Sequence, residues 1–155
     1  MAENSEEVDL LALDRQVCFA LAVASRSVIA LYRPLLEPMG LTHPQYLVML
    51  ALWEESPLSV KQLSGLLQLD PGTLSPLLKR LESAGYLTRQ RDPRDERSLA
   101  VRLTDSGQAL RTEALKIPPA IIARLGMSLS ELESLHKNLT RVIAAASTET
   151  SPPQR

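Results

Sequence analysis

The sequence predicts a mainly helical fold with a small β-hairpin, the plan of a winged helix-turn-helix. Three observations between residues 56 and 103 support this prediction. Two short helical patterns are separated by a tight turn, a glycine follows the second helix, and two short strand patterns flank a charged tip. In such proteins the second helix is the recognition helix, which lies in the major groove of DNA. DNA binding is therefore the leading functional hypothesis.

The recognition helix is predicted to begin at Asp70-Pro71. Asp70 can cap free backbone N–H groups, and Pro71 fits the first helical position, where its missing N–H costs nothing. Apolar side chains at helical spacing form one buried stripe: Leu74, Leu77, Leu78 and Leu81. The opposite face carries side chains suited to bases and phosphates: Thr73, Ser75, Pro76, Lys79 and Arg80. An ordinary solvated face is the alternative.

Local signals set the boundaries of these elements. A proline in the second turn removes a helical hydrogen bond, so we expect Pro76 to bend or loosen that turn while offering an apolar contact to a thymine methyl. The preceding helix is predicted over residues 58–67, capped by Ser59, with Gln68-Leu69 closing the turn. Gly85 is predicted to end the recognition helix. Residues 86–91 and 98–103 are predicted as antiparallel strands, with residues 92–97 as the tip of the wing.

The distribution of charge is more informative than the net charge of −1. Cationic side chains cluster on the proposed DNA face: Lys79, Arg80, Arg89, Arg91, Arg94, Arg97 and Arg102. Acidic side chains crowd the N-terminus: Glu3, Glu6, Glu7, Asp9 and Asp14. This asymmetry is the electrostatic footprint that a DNA-binding surface requires.

Composition argues against other classes of protein. No segment is expected to reach the apolar length of a membrane span, and the N-terminus lacks the form of a signal peptide, so a cytoplasmic protein without membrane partners is predicted. The single cysteine, Cys18, excludes an internal disulfide and a cysteine-rich metal site. His43 and His136 have no ligand spacing around them, and we expect neither a metal nor a cofactor.

Residues 13–147 are predicted to form one domain, flanked by a disordered acidic N-terminus, residues 1–12, and a disordered tail, residues 148–155. Helices within residues 14–38 and 104–147 carry apolar stripes: Val17, Leu21, Ala24, Val28 and Leu31, and Leu132, Leu135, Leu139, Val142 and Ala146. A winged helix does not need them for its core, so they are predicted to dimerise the chain, with intramolecular packing as the alternative.

Capping signals place the helices of the C-terminal region. Ser130 with Glu133 is predicted to form a capping box before the last apolar run. Residues 104–107 are predicted to cap an earlier helix that stops near Pro118-Pro119.

Over residues 13–147 the chain resembles the MarR-type transcriptional regulators, and within them the OhrR branch, which senses organic hydroperoxides. Six motifs together support the resemblance: Gln16-Val17-Cys18-Phe19, Tyr32-Arg33-Pro34-Leu35-Leu36, Leu41-Thr42-His43-Pro44-Gln45-Tyr46-Leu47, Leu52-Trp53-Glu54, Leu69-Asp70-Pro71-Gly72-Thr73-Leu74 and Asp95-Glu96-Arg97-Ser98. The resemblance implies a homodimeric repressor on a pseudo-palindromic double-stranded operator. It also implies that Arg97, oriented by Asp95, enters a flanking minor groove, where a narrow A·T-rich sequence favours arginine.

Two interpretations of Cys18 are open from the residues alone: a small buried side chain, or a reactive thiol. Ionisation of the thiol is favoured near a helix N-terminus, and Cys18 lies within two turns of the predicted start at Asp14, with Arg15 as a possible cation. The resemblance implies that organic hydroperoxide oxidises Cys18 and that release from the operator derepresses a peroxide-resistance gene. It also implies that Tyr32 donates a hydrogen bond to this cysteine.

Cys18 and Tyr32 are separated by fourteen residues, about 21 Å along a continuous helix, so Tyr32 would have to come from the partner chain. The chain departs from the family at Ala22 and His43, where tyrosines are common, and His43 or Tyr46 could substitute as donors. Without a second cysteine, a sulfenic acid on Cys18 would need a low-molecular-weight thiol as partner. Two alternatives stay open: a repressor that responds to a small aromatic ligand, with Cys18 structural, and a thiol peroxidase.

Overall fold

The computed structural model describes residues 9–13 and 16–148, apart from the side chains of Glu96 and Thr148. Most of these residues are helical, and three strands form one small antiparallel sheet, which confirms the predicted fold class. The elements are α1 (Val17–Leu36), a 3-10 turn (Glu37–Met39), α2 (His43–Glu54), β1 (Leu58–Ser59), α3 (Val60–Leu67), α4 (Pro71–Ser83), β2 (Leu87–Asp92), β3 (Asp95–Leu103), α5 (Asp105–Ala114), α6 (Ile117–Leu125) and α7 (Leu129–Thr148). The chain divides into two compact units, Met1–Ile117 and Pro118–Arg155.

Reciprocal side-chain caps fix the starts of α2 and α3. Thr42 and Gln45 form a capping box on α2, and Ser59 and Gln62 form another on α3. Each pair satisfies two backbone donors that a helix leaves free. The box also explains how Gln45, a polar side chain only 8% exposed, is tolerated in the core, since its Oε1 accepts from the Thr42 backbone N–H at 3.0 Å.

The turn between α3 and α4 lies at the predicted residues, Gln68-Leu69, and Asp70 follows it as the predicted cap. Gln68 ends α3 in the left-handed region at φ 52°. Asp70 then caps α4, with its Oδ1 accepting from the Thr73 backbone N–H at 2.9 Å. α4 continues through Pro76 to Ser83, so the expected loosening does not end the helix. Gly85 follows at φ 85° and turns the chain into β2.

The sheet has the order β1-β3-β2. β3 is longer than the predicted strand, whereas β2 has the predicted length and begins one residue later. β2 and β3 pair from Leu87 with Leu103 to Asp92 with Asp95, which leaves only two residues in the turn. β1 was missed, because Leu58-Ser59 was predicted as the start of a helix. Instead Leu58 pairs with Val101, and the helix begins one residue after Ser59.

The core of the unit Met1–Ile117 brings the recognition helix against the sheet. Leu63, Leu74, Leu78, Leu87 and Val101 are each at most 2% exposed. Burial of such side chains is the main favourable contribution to folding, about 2 kcal/mol each. The predicted stripe on α4 is therefore confirmed, with Leu77 half-buried at its edge.

Gly107 joins α5 to the rest of this unit. Its backbone N–H donates to the Thr104 cap at 3.1 Å, and its carbonyl accepts from Trp53 Nε1 at 2.9 Å. A Cβ at this position would lie 2.0 Å from the carbonyl oxygen of Tyr86. Only glycine permits this approach, because the obstacle is backbone.

The C-terminal unit corrects two predictions. The capping box of α7 is formed by Ser128 and Glu131, with Glu131 Oε2 accepting from the Ser128 backbone N–H at 2.7 Å, and not by Ser130 and Glu133. Two consecutive Ser-x-x-Glu patterns overlap here, and the helix begins at the earlier one. The helix after Thr104 does end before Pro118-Pro119, but these prolines lie in the first turn of α6, which was not predicted.

Two long helices carry apolar side chains that the single chain leaves exposed. In α1 only Leu36 is buried, while Val17 is 69% exposed, and Leu129 and Ile143 of α7 are 66% and 47% exposed. The segment Val17–Met39 is also long and apolar enough to cross a membrane, contrary to the expectation from sequence. One such helix is weak evidence of a span, and Arg26 and Arg33 within it would be costly in hydrocarbon.

Candidate functional site

The outer face of α4 presents the side chains predicted to contact DNA. Asp70, Thr73, Ser75, Pro76, Lys79 and Arg80 are all exposed. Asp70 and Thr73 are also joined to each other, because Thr73 Oγ1 donates to Asp70 Oδ2 at 3.0 Å. The hydrogen bond from the Thr73 backbone, followed by that from its hydroxyl, holds the pKa of Asp70 below its usual value, so this carboxylate stays ionised as the cap.

The wing presents four exposed arginines, Arg91, Arg94, Arg97 and Arg102. Asp95 Oδ1 accepts from the backbone N–H of Arg97 at 3.0 Å. Asp95 thus holds the backbone of Arg97 in place. The family resemblance implied that Asp95 orients Arg97, and this hydrogen bond shows one way in which it can. A hollow of about 440 Å³ lies beside this arginine, lined in part by Lys61, Ser64 and Pro71.

Arg89 differs from the other predicted DNA contacts because it is half-buried and paired. Its Nη2 lies 3.2 Å from Glu82 Oε1, and its backbone N–H donates to Glu82 Oε2 at 2.9 Å. The hydrogen bonds from Arg89, its side chain first, lower the pKa of Glu82. Sequence reasoning missed Glu82, although a carboxylate in the last turn of a helix, where it opposes the helix dipole, is a signal that could have identified it.

Cys18 is exposed and is the second residue of α1, so it lies nearer the helix N-terminus than predicted. The predicted start at Asp14 and the suggested cation Arg15 lie outside the described residues. α1 runs without a break from Val17 to Leu36, so the separation of about 21 Å between Cys18 and Tyr32 in one chain holds. Around Cys18 the helix offers mainly apolar side chains, such as Val17, Phe19 and Leu21.

The other three residues predicted to act with Cys18 form one aromatic cluster: Tyr32, His43 and Tyr46. The ring centroids of Tyr32 and His43 are 4.8 Å apart, edge to face, and those of Tyr32 and Tyr46 are 5.8 Å apart. Trp53 extends the cluster at 6.4 Å from Tyr46. Burial raises the pKa of Tyr32, and burial together with the nearby Tyr32 raises the pKa of Tyr46, so both hydroxyls remain hydrogen-bond donors at neutral pH.

We expect His43 to make stability depend on pH. Burial lowers the pKa of His43 below its usual value of 6.5, so the folded state binds a proton less readily than the unfolded chain. The contribution of the neutral His43 to folding stability is present above pH 6.5. It is lost as the pH falls from 6.5 toward the lower pKa that His43 has in the folded state. Urea unfolding at pH 7.5 and 5.5, at one protein concentration, should show a larger loss for wild type than for His43→Phe.

The matched control is His136→Phe, because His136 is exposed on α7. This variant should keep the pH dependence of wild type. An equal pH dependence in wild type and His43→Phe would contradict the assignment to His43.

A second cavity lies next to this cluster. It encloses about 390 Å³ and is lined in part by Ile29 and Arg33 of α1 and by Thr42 and His43 of α2. Among the described residues, no group of three or more His, Cys, Asp and Glu side chains is placed to hold a metal ion.

Comparisons with known proteins agree with this geometry. The sequence model of the MarR family matches residues 41–99. The chain is 42% identical over 131 residues to the organic hydroperoxide resistance transcriptional regulator of Bacillus subtilis, covering 84% of this chain and 89% of that protein. It is 47% identical over 131 residues to the HTH-type transcriptional regulator TtmR of Methylorubrum extorquens, covering 84% and 67%.

Solved structures extend the comparison to DNA complexes. Reduced AbfR bound to DNA superposes with a TM-score of 0.73 at 34% identity, covering 86% of this chain and 94% of that one. AbfR, a protein of Staphylococcus epidermidis, has also been solved bound to DNA in an overoxidized form. The curated relatives are named as regulators and not as enzymes, so the thiol peroxidase alternative has no support. With 42% identity over most of both chains and a shared winged-helix fold, this protein belongs to the MarR family of transcriptional regulators.

Proposed function

We propose that this regulator is a one-cysteine sensor of organic hydroperoxides that represses transcription until Cys18 is oxidised. The observation that supports it most is the position of Cys18, exposed in the first turn of α1 among apolar side chains. Exposure makes the sulfur accessible to peroxide, and the apolar surroundings favour an organic peroxide over a highly polar one. A role on operator DNA implies a cytoplasmic location.

Regulators of this family bind operator DNA as dimers. The exposed apolar side chains of α1 and α7 support a dimer of this chain, because extended apolar patches are rare on monomers. They include Val17, Phe19, Val23 and Ile29 of α1 and Leu129, Leu135, Val142 and Ile143 of α7, while Leu21, Val28, Leu31, Leu132 and Leu139 of the predicted stripes are half-buried. A two-fold axis with antiparallel α1 helices would bring Cys18 of one chain toward the Tyr32, His43 and Tyr46 cluster of the other. Each sensor site would then contain residues of both chains.

In this dimer the two α4 helices enter successive major grooves, about 34–36 Å apart. The contacts to bases and phosphates come from the exposed face of α4, with Thr73, Ser75, Pro76, Lys79 and Arg80, capped by Asp70. The wing adds Arg91, Arg94 and Arg97 to the flanking backbone and minor groove.

The chemistry at Cys18 needs only the peroxide and a small thiol. The thiolate attacks the terminal oxygen of the hydroperoxide and the O–O bond breaks. Sulfur keeps that oxygen as a sulfenic acid, and the alkoxide takes up the proton that the thiol lost, leaving as an alcohol. A low-molecular-weight thiol then displaces water and forms a mixed disulfide.

The size of the adduct connects oxidation to DNA release. A sulfenic acid adds little volume, whereas a mixed disulfide would force a polar group into the apolar seam between the α1 helices. The structure of overoxidized AbfR bound to DNA is consistent with this distinction, since oxidation of that protein is compatible with a DNA complex. A tenfold loss of operator affinity needs only a small change in the balance between the subunit arrangement that fits DNA and one that does not. The adduct has to shift this balance by about 1.4 kcal/mol.

An operator shift assay tests the proposal. A duplex selected from a random-sequence pool by the reduced protein serves as operator, and cumene hydroperoxide plus glutathione as oxidant and thiol. We expect wild type to lose at least tenfold in affinity and Cys18→Ser to stay bound. Full conversion of Cys18 to the glutathione mixed disulfide, seen by mass spectrometry on an intact complex, would contradict the sensor proposal.

Tyr32 is expected to act on the Cys18 of the partner chain. Tyr32→Phe should slow oxidation of Cys18 while leaving dimerisation and reduced-state DNA binding intact, because only a hydroxyl is removed. The decisive sample is a heterodimer with Tyr32→Phe in one chain and Cys18→Ser in the other. Its single cysteine would face an intact Tyr32 and should oxidise at the wild-type rate. Slow oxidation would place the effect of Tyr32 within its own chain.

A repressor that responds to a small aromatic ligand is the second candidate. The cavity of about 390 Å³ beside His43 and Arg33 favours it, because it combines apolar walls with a cation, an imidazole and the carboxylate of Glu37. Release from the operator by salicylate, with no response to cumene hydroperoxide, would select this function over the sensor.

A further inference from the structure

The pair Glu82 and Arg89, here called the 82–89 bridge, connects the recognition helix to the wing. Glu82 lies in the last turn of α4 and Arg89 is the third residue of β2. One carboxylate oxygen accepts from the Arg89 backbone and the other from its guanidinium, at 2.9 and 3.2 Å. Both the main chain and the side chain of the strand are therefore held by one residue of the helix.

The side chain of Arg89 is directed inward. Side chains alternate along a strand, so Arg89 lies on the same face as Leu87, which is 1% exposed. Its Nε is buried and has no hydrogen-bond partner among the described residues. An arginine that served as a phosphate contact would keep its guanidinium in solvent, as the exposed Arg91, Arg94 and Arg97 can.

Glu82 is in an unfavourable position for the helix alone. A negative charge in the last turn opposes the helix dipole, and it also lies on the element that approaches DNA phosphates. Its two contacts to Arg89 offset this cost. The bridge also neutralises the charge of Arg89, which leaves that residue little net attraction for phosphate.

We propose that the 82–89 bridge positions the wing relative to the recognition helix, so that Glu82 and Arg89 act on DNA affinity through geometry and not through phosphate contact. The inference rests on the proposed DNA-binding role. It assigns Arg89, predicted from sequence as a DNA contact, to a positioning role and adds Glu82, which carries the wrong charge for a contact.

Removal of the Glu82 carboxylate distinguishes a positioning role of Arg89 from a phosphate contact, because the two roles predict opposite changes in DNA affinity. If Arg89 positions the wing, Glu82→Gln and Glu82→Ala should lower affinity for the selected duplex, about threefold and tenfold, with an unchanged salt slope. If Arg89 contacts phosphate, Glu82→Gln should raise affinity by freeing a cation, and Arg89→Ala should flatten the salt slope by about one counterion. Glu113→Gln, the same change at an exposed position of α5, is the control.

A double-mutant cycle gives an independent readout. Glu82→Ala combined with Arg89→Ala should cost no more affinity than either change alone, because both remove one bridge. Additive losses would overturn the proposal, as would affinities equal to wild type. Failure to enrich any duplex from the pool would instead contradict DNA binding itself.

Amide hydrogen exchange in the unaltered protein tests the bridge without any variant. The Arg89 backbone N–H donates to Glu82 and not to the sheet, so slow exchange of this amide is expected. Exchange at the rate of an open surface amide would overturn the proposal even if the variants failed to fold.

Discussion

Replacement of Gly107 by alanine is expected to lower the free energy of unfolding by about 3 kcal/mol. The new Cβ would lie 2.0 Å from the carbonyl oxygen and 3.0 Å from the carbonyl carbon of Tyr86. Relief requires movement of α5, which would strain the Thr104 cap and the Trp53 hydrogen bond to the Gly107 carbonyl. Urea unfolding at a fixed protein concentration measures the loss, and a fall in Tm of about 10 °C should accompany it.

Gly65→Ala provides the matched control. Gly65 lies within α3, and a Cβ there meets nothing within 4 Å. Alanine should therefore raise stability by about 0.5–1 kcal/mol, because it reduces the freedom of the unfolded chain. If the two substitutions change the free energy of unfolding in opposite directions, the close approach of Gly107 to Tyr86 is supported. Equal changes would contradict it.

Loss of Arg97 is expected to weaken operator binding by about 1–3 kcal/mol, roughly fivefold to 150-fold, and to reduce the preference for A·T-rich flanks. The reason is that Arg97 is exposed on the wing, with its backbone fixed by Asp95 at 3.0 Å. Arg97→Ala and wild type are compared by fluorescence anisotropy on duplexes that differ only in the flanks. Equal affinity and equal flank preference would contradict the proposed wing geometry.

Lys79→Ala is the comparison for a phosphate contact. Lys79 is exposed on α4, and its removal should weaken binding to all duplexes alike and flatten the salt dependence by about one counterion. Arg97→Ala thus reports a contact that depends on DNA shape, and Lys79→Ala reports one that depends on charge alone.

Elements with local signals could be predicted from sequence. Ser59, Asp70 and Thr104 cap their helices as predicted, because each cap depends on residues within three positions. The buried stripe of α4 follows from helical spacing alone. The choice of Tyr32, His43 and Tyr46 as partners of Cys18 rested on a family resemblance and stays a prediction, while their packing in one cluster was not predicted.

Features that depend on distant partners were missed. β1 forms because Leu58 pairs with Val101, forty-three residues away, and nothing in the local sequence distinguishes it from a helix start. Glu82 and Arg89 meet because the chain turns at Gly85 and brings β2 back against α4. The sequence alone therefore indicates only a basic residue on a strand. At α7 two overlapping capping patterns competed, and local sequence did not decide between them.

The exposure of α1 has a consequence for how the protein accumulates in a cell. Leu36 near the end of this helix is its only fully buried residue among those described, so in the proposed dimer most of α1 would gain further packing from a second copy. α1 precedes the winged helix along the chain, so its apolar side chains leave the ribosome early and stay exposed until a second chain binds. When chains are scarce, the amount of paired protein rises with the square of chain number. If the chain acts as the proposed dimeric repressor, operator binding should therefore begin abruptly as synthesis increases.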